Sequence, residues 1–403
     1  MNQASTESPR RNLGRRGLEA VVTITGILLL AVALAANQSW WDRHFLPLYF
    51  YPRERVLLSE SLVRLVGVVA GLVLIALGRT VVRHLTHRMS GKEIVAALLR
   101  ILFAAGLALA VIEVIEGRTF TYAAAERQPG EEPVRQPDQR LGWVFAPRHE
   151  GSTIVGGRRI SYSTDPFGYR IANRGAPVDL DLPSLVFTGE SIISGYGLNW
   201  NETIPAQAGA ALTTQSANIA VFGYANDQAF LRLESELPRF RRPIAVISLF
   251  TPSLLARNLG DDRPHLGPGL TWMPAVHRLW LSALFRFLVP YRSEAVIERG
   301  IATTRAELVA TAALASRHGA VSLVVDPQFG GETAMERTLR RRILEEPGIQ
   351  YVRVKLDPSW RLQGDLHPDP RAARAIAMAI ATRLRAKLSV RPALESQGQL
   401  PSE

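Results

Sequence analysis

The segment VFTGESIISGYGLNWNETIPAQ, Val186 to Gln207, places a serine directly after a short apolar run and inside a polar, glycine-rich stretch. Gly and Ser after a strand are ordinary turn residues, so Ser191 acquires chemical meaning only through partners elsewhere in the chain. A serine hydroxyl is a poor nucleophile at neutral pH. It needs a base within hydrogen-bond reach and donors for the oxyanion its attack creates. Histidine is the usual base. Of the eight histidines, His44, His84 and His87 fall in an apolar N-terminal third and His149 precedes the later strand-helix region. His277 and His318 lie in helical, partly apolar stretches, and His265 sits in the loop DDRPHLGPG and stays a candidate. His367 is the strongest, because GDLHPDP separates the last strand from the last helix and sets Asp365 two residues before it. A carboxylate there can fix the imidazole tautomer and stabilise its protonated form. An Asp-capped turn leading into the helix is the alternative reading of that loop.

The elements that must position these residues begin after Pro183. SLVFTG is followed by a helix near Pro205 to Leu212, ANIAVFG by a helix from Asp227 to Leu237, then come PIAVISLF, AVSLVVD, QYVRVKL and a last helix from Pro370 to Leu388. Val- and Ile-rich strands alternating with helices predict a mostly parallel sheet covered on both faces. Ligands bind such sheets beyond the carboxyl ends of the strands, which is where Ser191 falls. The expected organisation is a tail (1–19), a membrane region (20–116), a polar linker (117–140), a strand-rich lead-in (141–182), the α/β domain (183–390) and a C-terminal tail (391–403).

Three apolar segments, Ala20–Ala36, Leu62–Gly78 and Val95–Ile115, approach the roughly 20 residues a membrane-spanning helix needs. Arg64 and Arg100 lie near segment ends, where a long side chain can snorkel. Arginines in the N-terminal tail and after the second segment predict cytoplasmic loops there, and Trp40, Trp41, Tyr49, Phe50 and Tyr51 suit an interface on the other side. The first segment also reads as a cleavable signal peptide, which leaves the topology unchanged. Either way the chain after Ile115 is expected outside the cytoplasm. GVVAG, Gly67 to Gly71, reads as a helix-packing face.

The 403 residues contain no cysteine, which excludes disulfides and thiolate metal sites. The net charge of +11 is spread over helix ends, loops and the N-terminus without an aromatic-interleaved basic motif, which argues against nucleic acid. No metal-ligand spacing, phosphate loop or dinucleotide fingerprint is present, so neither a metal nor a cofactor is expected.

GESIISGYGLNWNETIPAQ resembles the first block of the SGNH (GDSL) hydrolases, roughly G-D-S-x-x-x-G-x-G-x-x-x-x-E-T-x-P, at Gly189, Ser191, Gly195, Gly197, Glu202, Thr203 and Pro205. NIAVFGYANDQAFLRL resembles the second block, with Asn218, Gly223 and Asp227-Gln228, and GDLHP the last. LGWVFAP and ISYSTDPFGYR are similar to the segment preceding many of these domains. The resemblance covers about Leu141 to Leu388 and implies a flavodoxin-like three-layer α/β/α sandwich acting on acyl esters. It implies Ser191 as nucleophile, His367 as base, Asp365 as orienting acid, and the backbone N–H groups of Ser191 and Gly223 as two arms of an oxyanion hole. Two positions depart from the pattern. Glu190 stands where the family has Asp, and LFTPSLLARN lacks the asparagine of the third block. Ser253, Thr251 and Asn258 remain open as the third oxyanion donor.

The expectation is a multi-pass esterase in a bacterial inner membrane, removing an O-acyl group such as O-acetyl from a carbohydrate or lipid on the periplasmic side. An O-acyltransferase for an exported polysaccharide, fed by a membrane acyl-donor partner, is the alternative enzyme. A degenerate domain kept for binding or assembly is the non-enzymatic one.

Overall fold

The computed structural model describes residues 9–45, 53–86, 89–119, 131–276 and 291–388. They fall into two compact units. The first contains α1 (Pro9–Ala35), α2 (Gln38–His44), α3 (Arg53–Thr86) and α4 (Gly91–Thr119). Three stretches, Arg15–Ala35, Glu54–Thr86 and Lys92–Val111, are long and apolar enough to cross a membrane. Helices α1 and α3 approach backbone to backbone. A Cβ placed on Gly71 would lie 2.8 Å from the Gly26 carbonyl oxygen, and one on Gly67 would lie 3.1 Å from the Ala33 Cβ. GVVAG therefore packs against α1 as small residues at a helix crossing do. Arg64 donates through Nε to the Ala33 carbonyl at 3.2 Å, one of the last carbonyls of α1 and so without an intrahelical partner. Trp40 and Trp41 lie on α2, which Asn37 caps by accepting the Trp40 N–H. Tyr49, Phe50, Tyr51, His87 and His277 lie outside the described residues, as do the two ends of the chain.

The second unit is built on an eight-stranded sheet in the order β12-β11-β8-β6-β7-β5-β4-β3. Strands β6 (Ser184–Phe187), β7 (Gln215–Asn218), β8 (Pro243–Leu249), β11 (Val321–Phe329) and β12 (Tyr351–Leu356) run parallel. Counted along the chain these five stand in the order 2-1-3-4-5, the flavodoxin-like arrangement that the family resemblance implies. β6 is buried along its whole length and β8 nearly so, as expected of strands covered on both faces. Helix α6 (Ile204–Leu212) packs on the last helix, α11 (Pro370–Leu388), while α7 (Asn226–Glu236) packs on α9 (Glu294–Arg317), and α10 (Ala334–Arg340) lies between α9 and α11 in the chain.

The lead-in and the segment read as linker both contain regular elements. The lead-in extends the same sheet: β3 (Glu150–Val155), β4 (Arg158–Thr164) and β5 (Arg170–Ile171) pair antiparallel, and Arg170 pairs with Asn218 of β7. Within the segment read as linker, α4 runs to Thr119 and β1 (Arg135–Asp138) pairs with β2 (Gly142–Phe145). Pairing needs only backbone groups, and the Arg135 guanidinium lies over the Trp143 ring, so a polar composition did not prevent a strand. The run ANIAVFG also leaves the ladder early. After Asn218 its N–H groups turn toward the serine loop, Ile219 donating to Phe187 O and Val221 to Gly189 O.

The α1–α3 crossing is directly testable in a chain without cysteines. The pair Ala33→Cys and Gly67→Cys should crosslink within one chain on mild oxidation, because its Cβ separation needs only a few tenths of an ångström to reach disulfide range. Gel mobility before and after reductant reports the result. Absence of an intramolecular crosslink would contradict the register.

Candidate active site

Beyond the carboxyl end of β6 the chain turns through Gly189 and Glu190 into a one-turn helix, α5 (Ser191–Ser194). This is the switch point where the strand order reverses, between β6 and β8. Glu190 caps the turn, its Oε1 accepting the Ile192 N–H at 3.1 Å. Gly195 ends it in the left-handed region at φ 84°. A Cβ at Gly195 would stand 2.5 Å from Thr203 Cγ2 and 2.8 Å from Arg170 Nη1, so both conformation and space require glycine there.

Arg170, from the lead-in, braces this turn and was not singled out by sequence. It is fully buried. Its Nη1 donates to Ser194 O at 2.6 Å and Gly195 O at 2.5 Å, and its Nη2 to Leu198 O. The guanidinium lies 4.4 Å from the centre of the Tyr162 ring. Burial pushes its pKa down to about 10 against the opposing pull of Tyr162 and the Glu202 carboxylate, which leaves it charged at neutral pH. The available signal was its place in DPFGYR, part of the block that resembles the lead-in of these domains.

The structure brings Ser191, His367 and Asp365 together. Ser191 Oγ lies 2.9 Å from His367 Nε2. His367 Nδ1 lies 2.6 Å from Asp365 Oδ1, and the same oxygen accepts the His367 backbone N–H at 2.8 Å. Burial pulls the Asp365 carboxyl upward, but the bonds from His367 outweigh it and hold the group below its ordinary range. The loop is pinned by Leu362 N–H to His367 O at 2.9 Å and by Arg361 Nη1 to Leu366 O at 2.5 Å. Tyr196 lays its ring 4.5 Å from the imidazole centre. The cap of α11 is Asp369, which accepts the Arg371 and Ala372 N–H groups at 2.8 and 3.0 Å. Asp365 is thereby left to the histidine, which separates this geometry from a simple capped turn.

The other candidates are placed elsewhere. His265 Nδ1 lies 3.0 Å from the carbonyl oxygen of Arg263, two residues earlier, at the start of the short strand β9 (His265–Leu266), which pairs with β10 (Trp272–Met273). Asn258 accepts the Asp227 N–H at 3.1 Å and donates to Thr304 Oγ1 at 2.9 Å and Glu307 Oε2 at 2.5 Å. With both ends of its amide engaged in the interior, it does not reach back as an oxyanion donor. Thr251 caps α8 (Pro252–Asn258) and shares a 2.8 Å hydrogen bond with Ser253. Their hydroxyls thus serve each other and the helix start. Gly223 adopts φ 81°, and a Cβ there would lie 3.1 Å from the Trp143 ring. The third-block segment contributes a different group, Arg257, whose Nη1 lies 3.1 Å from Glu190 Oε2. Among the described residues no group of three or more His, Asp or Glu side chains is placed to hold a metal ion.

No protein-family model matches the chain, and no curated protein matches it by sequence. Among solved structures it is similar to an acetyl xylan esterase from the rumen bacterium Butyrivibrio proteoclasticus, at 14% identity over 53% of this chain and 66% of that one, with a TM-score of 0.33. It is similar to a GDSL-like lipase from Bacteroides thetaiotaomicron, at 13% identity over 51% and 88%, TM-score 0.33. A carbohydrate esterase family 2 enzyme from Corynascus thermopiles (Myceliophthora fergusii) gives 15% identity over 55% and 70%, TM-score 0.34. Likenesses of this size carry no weight for the chemistry, which rests on the distances above.

Arg170→Leu should strip the donors from the Gly195 and Leu198 carbonyls and destabilise the second unit by about 2–4 kcal/mol. Denaturant unfolding checks this, and a midpoint equal to that of the wild type would show that the brace contributes nothing.

Proposed function

We propose that the chain is a serine esterase of the SGNH type. One observation carries the reading: at the sheet's switch point a buried serine hydroxyl lies 2.9 Å from an imidazole whose far nitrogen lies 2.6 Å from a carboxylate. In this reading Ser191 Oγ attacks the acyl carbonyl while His367 Nε2 takes its proton. The oxyanion is held by the backbone N–H groups of Ser191 and Gly223, and His367 returns the proton to the departing alcohol. Water, activated by the same imidazole, then releases the acid and restores the serine. Asp365 holds the tautomer in which Nε2 is free to accept.

The finer reading is an O-acyl, and specifically O-acetyl, ester of a carbohydrate or lipid. The three apolar helices support a membrane anchor, and the charge of their connecting loops supports an extracytoplasmic catalytic domain. Transfer to a sugar hydroxyl would use the same acyl-enzyme but needs a membrane acyl donor. Hydrolysis needs no partner and is the reading preferred here.

On a short-chain ester, Ser191→Ala and His367→Ala should each lower kcat by about a thousandfold or more, and His265→Ala should stay near the wild type. Full activity of Ser191→Ala, or a silent His265→Ala beside an active His367→Ala, would sink the assignment.

A further inference from the structure

We infer that Arg257 is a positioning residue for Ser191 and acts through Glu190, decreasing that carboxylate's competition for the serine proton. The inference rests on the serine-esterase reading above. Ser191 Oγ is in hydrogen-bond contact with two acceptors, Glu190 Oε2 and His367 Nε2. A hydroxyl carries one proton. Directed at His367 it is transferred during attack; directed at Glu190 it is held on the wrong side of the nucleophile. Glu190 is almost completely buried, and a charged acceptor in such a place binds a hydroxyl more strongly than a neutral imidazole does. The competition therefore favours the carboxylate unless its charge is countered.

Arg257 supplies the counter-charge. Its Nη1 donates at 3.1 Å to Glu190 Oε2, the same oxygen that contacts the serine. The guanidinium is fixed in place by Tyr224 O at 3.3 Å, next to Gly223. The other Glu190 oxygen is already engaged by the Ile192 N–H. Glu190 thus has a structural task in capping the serine turn, and Arg257 permits that task without leaving a bare anion against the nucleophile. Arg257 lies on α8, in the LFTPSLLARN segment that lacks the expected asparagine. The longer Glu190 and an arginine from the segment that lacks the family's asparagine are joined by one ion pair.

Arg257→Met, Arg257→Lys, Glu190→Gln and the double variant Arg257→Met/Glu190→Gln test this on the full-length protein. The readouts are the rate of fluorophosphonate labelling, kcat and KM on a short-chain ester, and the melting temperature. Arg257→Met should slow both labelling and kcat on the order of ten- to a hundredfold, with KM little changed. Arg257→Lys keeps the charge and should retain most of the rate. Adding Glu190→Gln to Arg257→Met removes the competing anion, so the double variant should recover to the level of Glu190→Gln alone. If Arg257→Met or Arg257→Lys melts well below the wild type, the recovery in the double variant remains the deciding comparison. Wild-type rates in Arg257→Met overturn the inference. A double variant as slow as Arg257→Met also overturns it, because Arg257 would then act on the substrate directly. A wild type that neither labels nor cleaves ester overturns the esterase reading, and this inference with it. Failure of the inference alone is recognised by an active wild type.

Discussion

The site depends on one contact made across the chain: the hydrogen bond between Ser191 and His367, residues separated by 176 positions. A side chain at the end of the first parallel strand meets one from the loop after the last. That meeting requires β6 in the middle of the sheet, β12 at its edge, and a loop ahead of α11 long enough to return across the carboxyl ends. The 2-1-3-4-5 order provides this geometry, because strands added outward from the switch point leave a crevice above β6 and β8. Helix α11 then returns to pack on α6, the helix that follows the serine turn, so both ends of the contact are seated on one packed pair of helices.

Around the contact, buried charge serves as scaffolding. Arg170 enters the core to satisfy carbonyls of the serine turn, Arg257 pairs with Glu190, and Arg263 pairs with Asp227 at 2.8 Å. Deeper still, burial pushes the Glu307 carboxyl well above its ordinary range, the nearby Asp227 adds to the effect, and the hydrogen bond from Asn258 opposes it. Each such group loses hydration on folding, and the loss is offset only by close, specific hydrogen bonds. The loops that form the site bury Ile192, Ile193, Leu198 and Leu362 in the core, and polar anchors fix the backbone between them and tolerate little displacement.

The sheet was legible because its signals are local. Pro370 to Leu388 reads as a helix by spacing alone and is one, and the strands at Ser184, Pro243 and Val321 are continuous apolar runs. Ser191, Asp365 and His367 stand out from block order, and the structure places them within hydrogen-bond reach of one another. Legibility failed where a residue's role depends on a distant partner. Arg170 reads as one arginine among many until the fold buries it under Gly195. Asn258 looked like an amide able to reach the site until α9 brought Thr304 and Glu307 against it. Strand β1 was missed because its side chains are polar and its stability comes from backbone pairing with β2.

The proposed chemistry turns on acylation of the Ser191 hydroxyl. The most direct measurement is peptide-resolved mass spectrometry of the protein mixed with an activated acetyl ester and quenched in acid within the first turnover. One added acetyl group is expected, confined to the peptide that contains Ser191. Acetyl elsewhere in the chain, or product formed with Ser191 unmodified throughout, would contradict it.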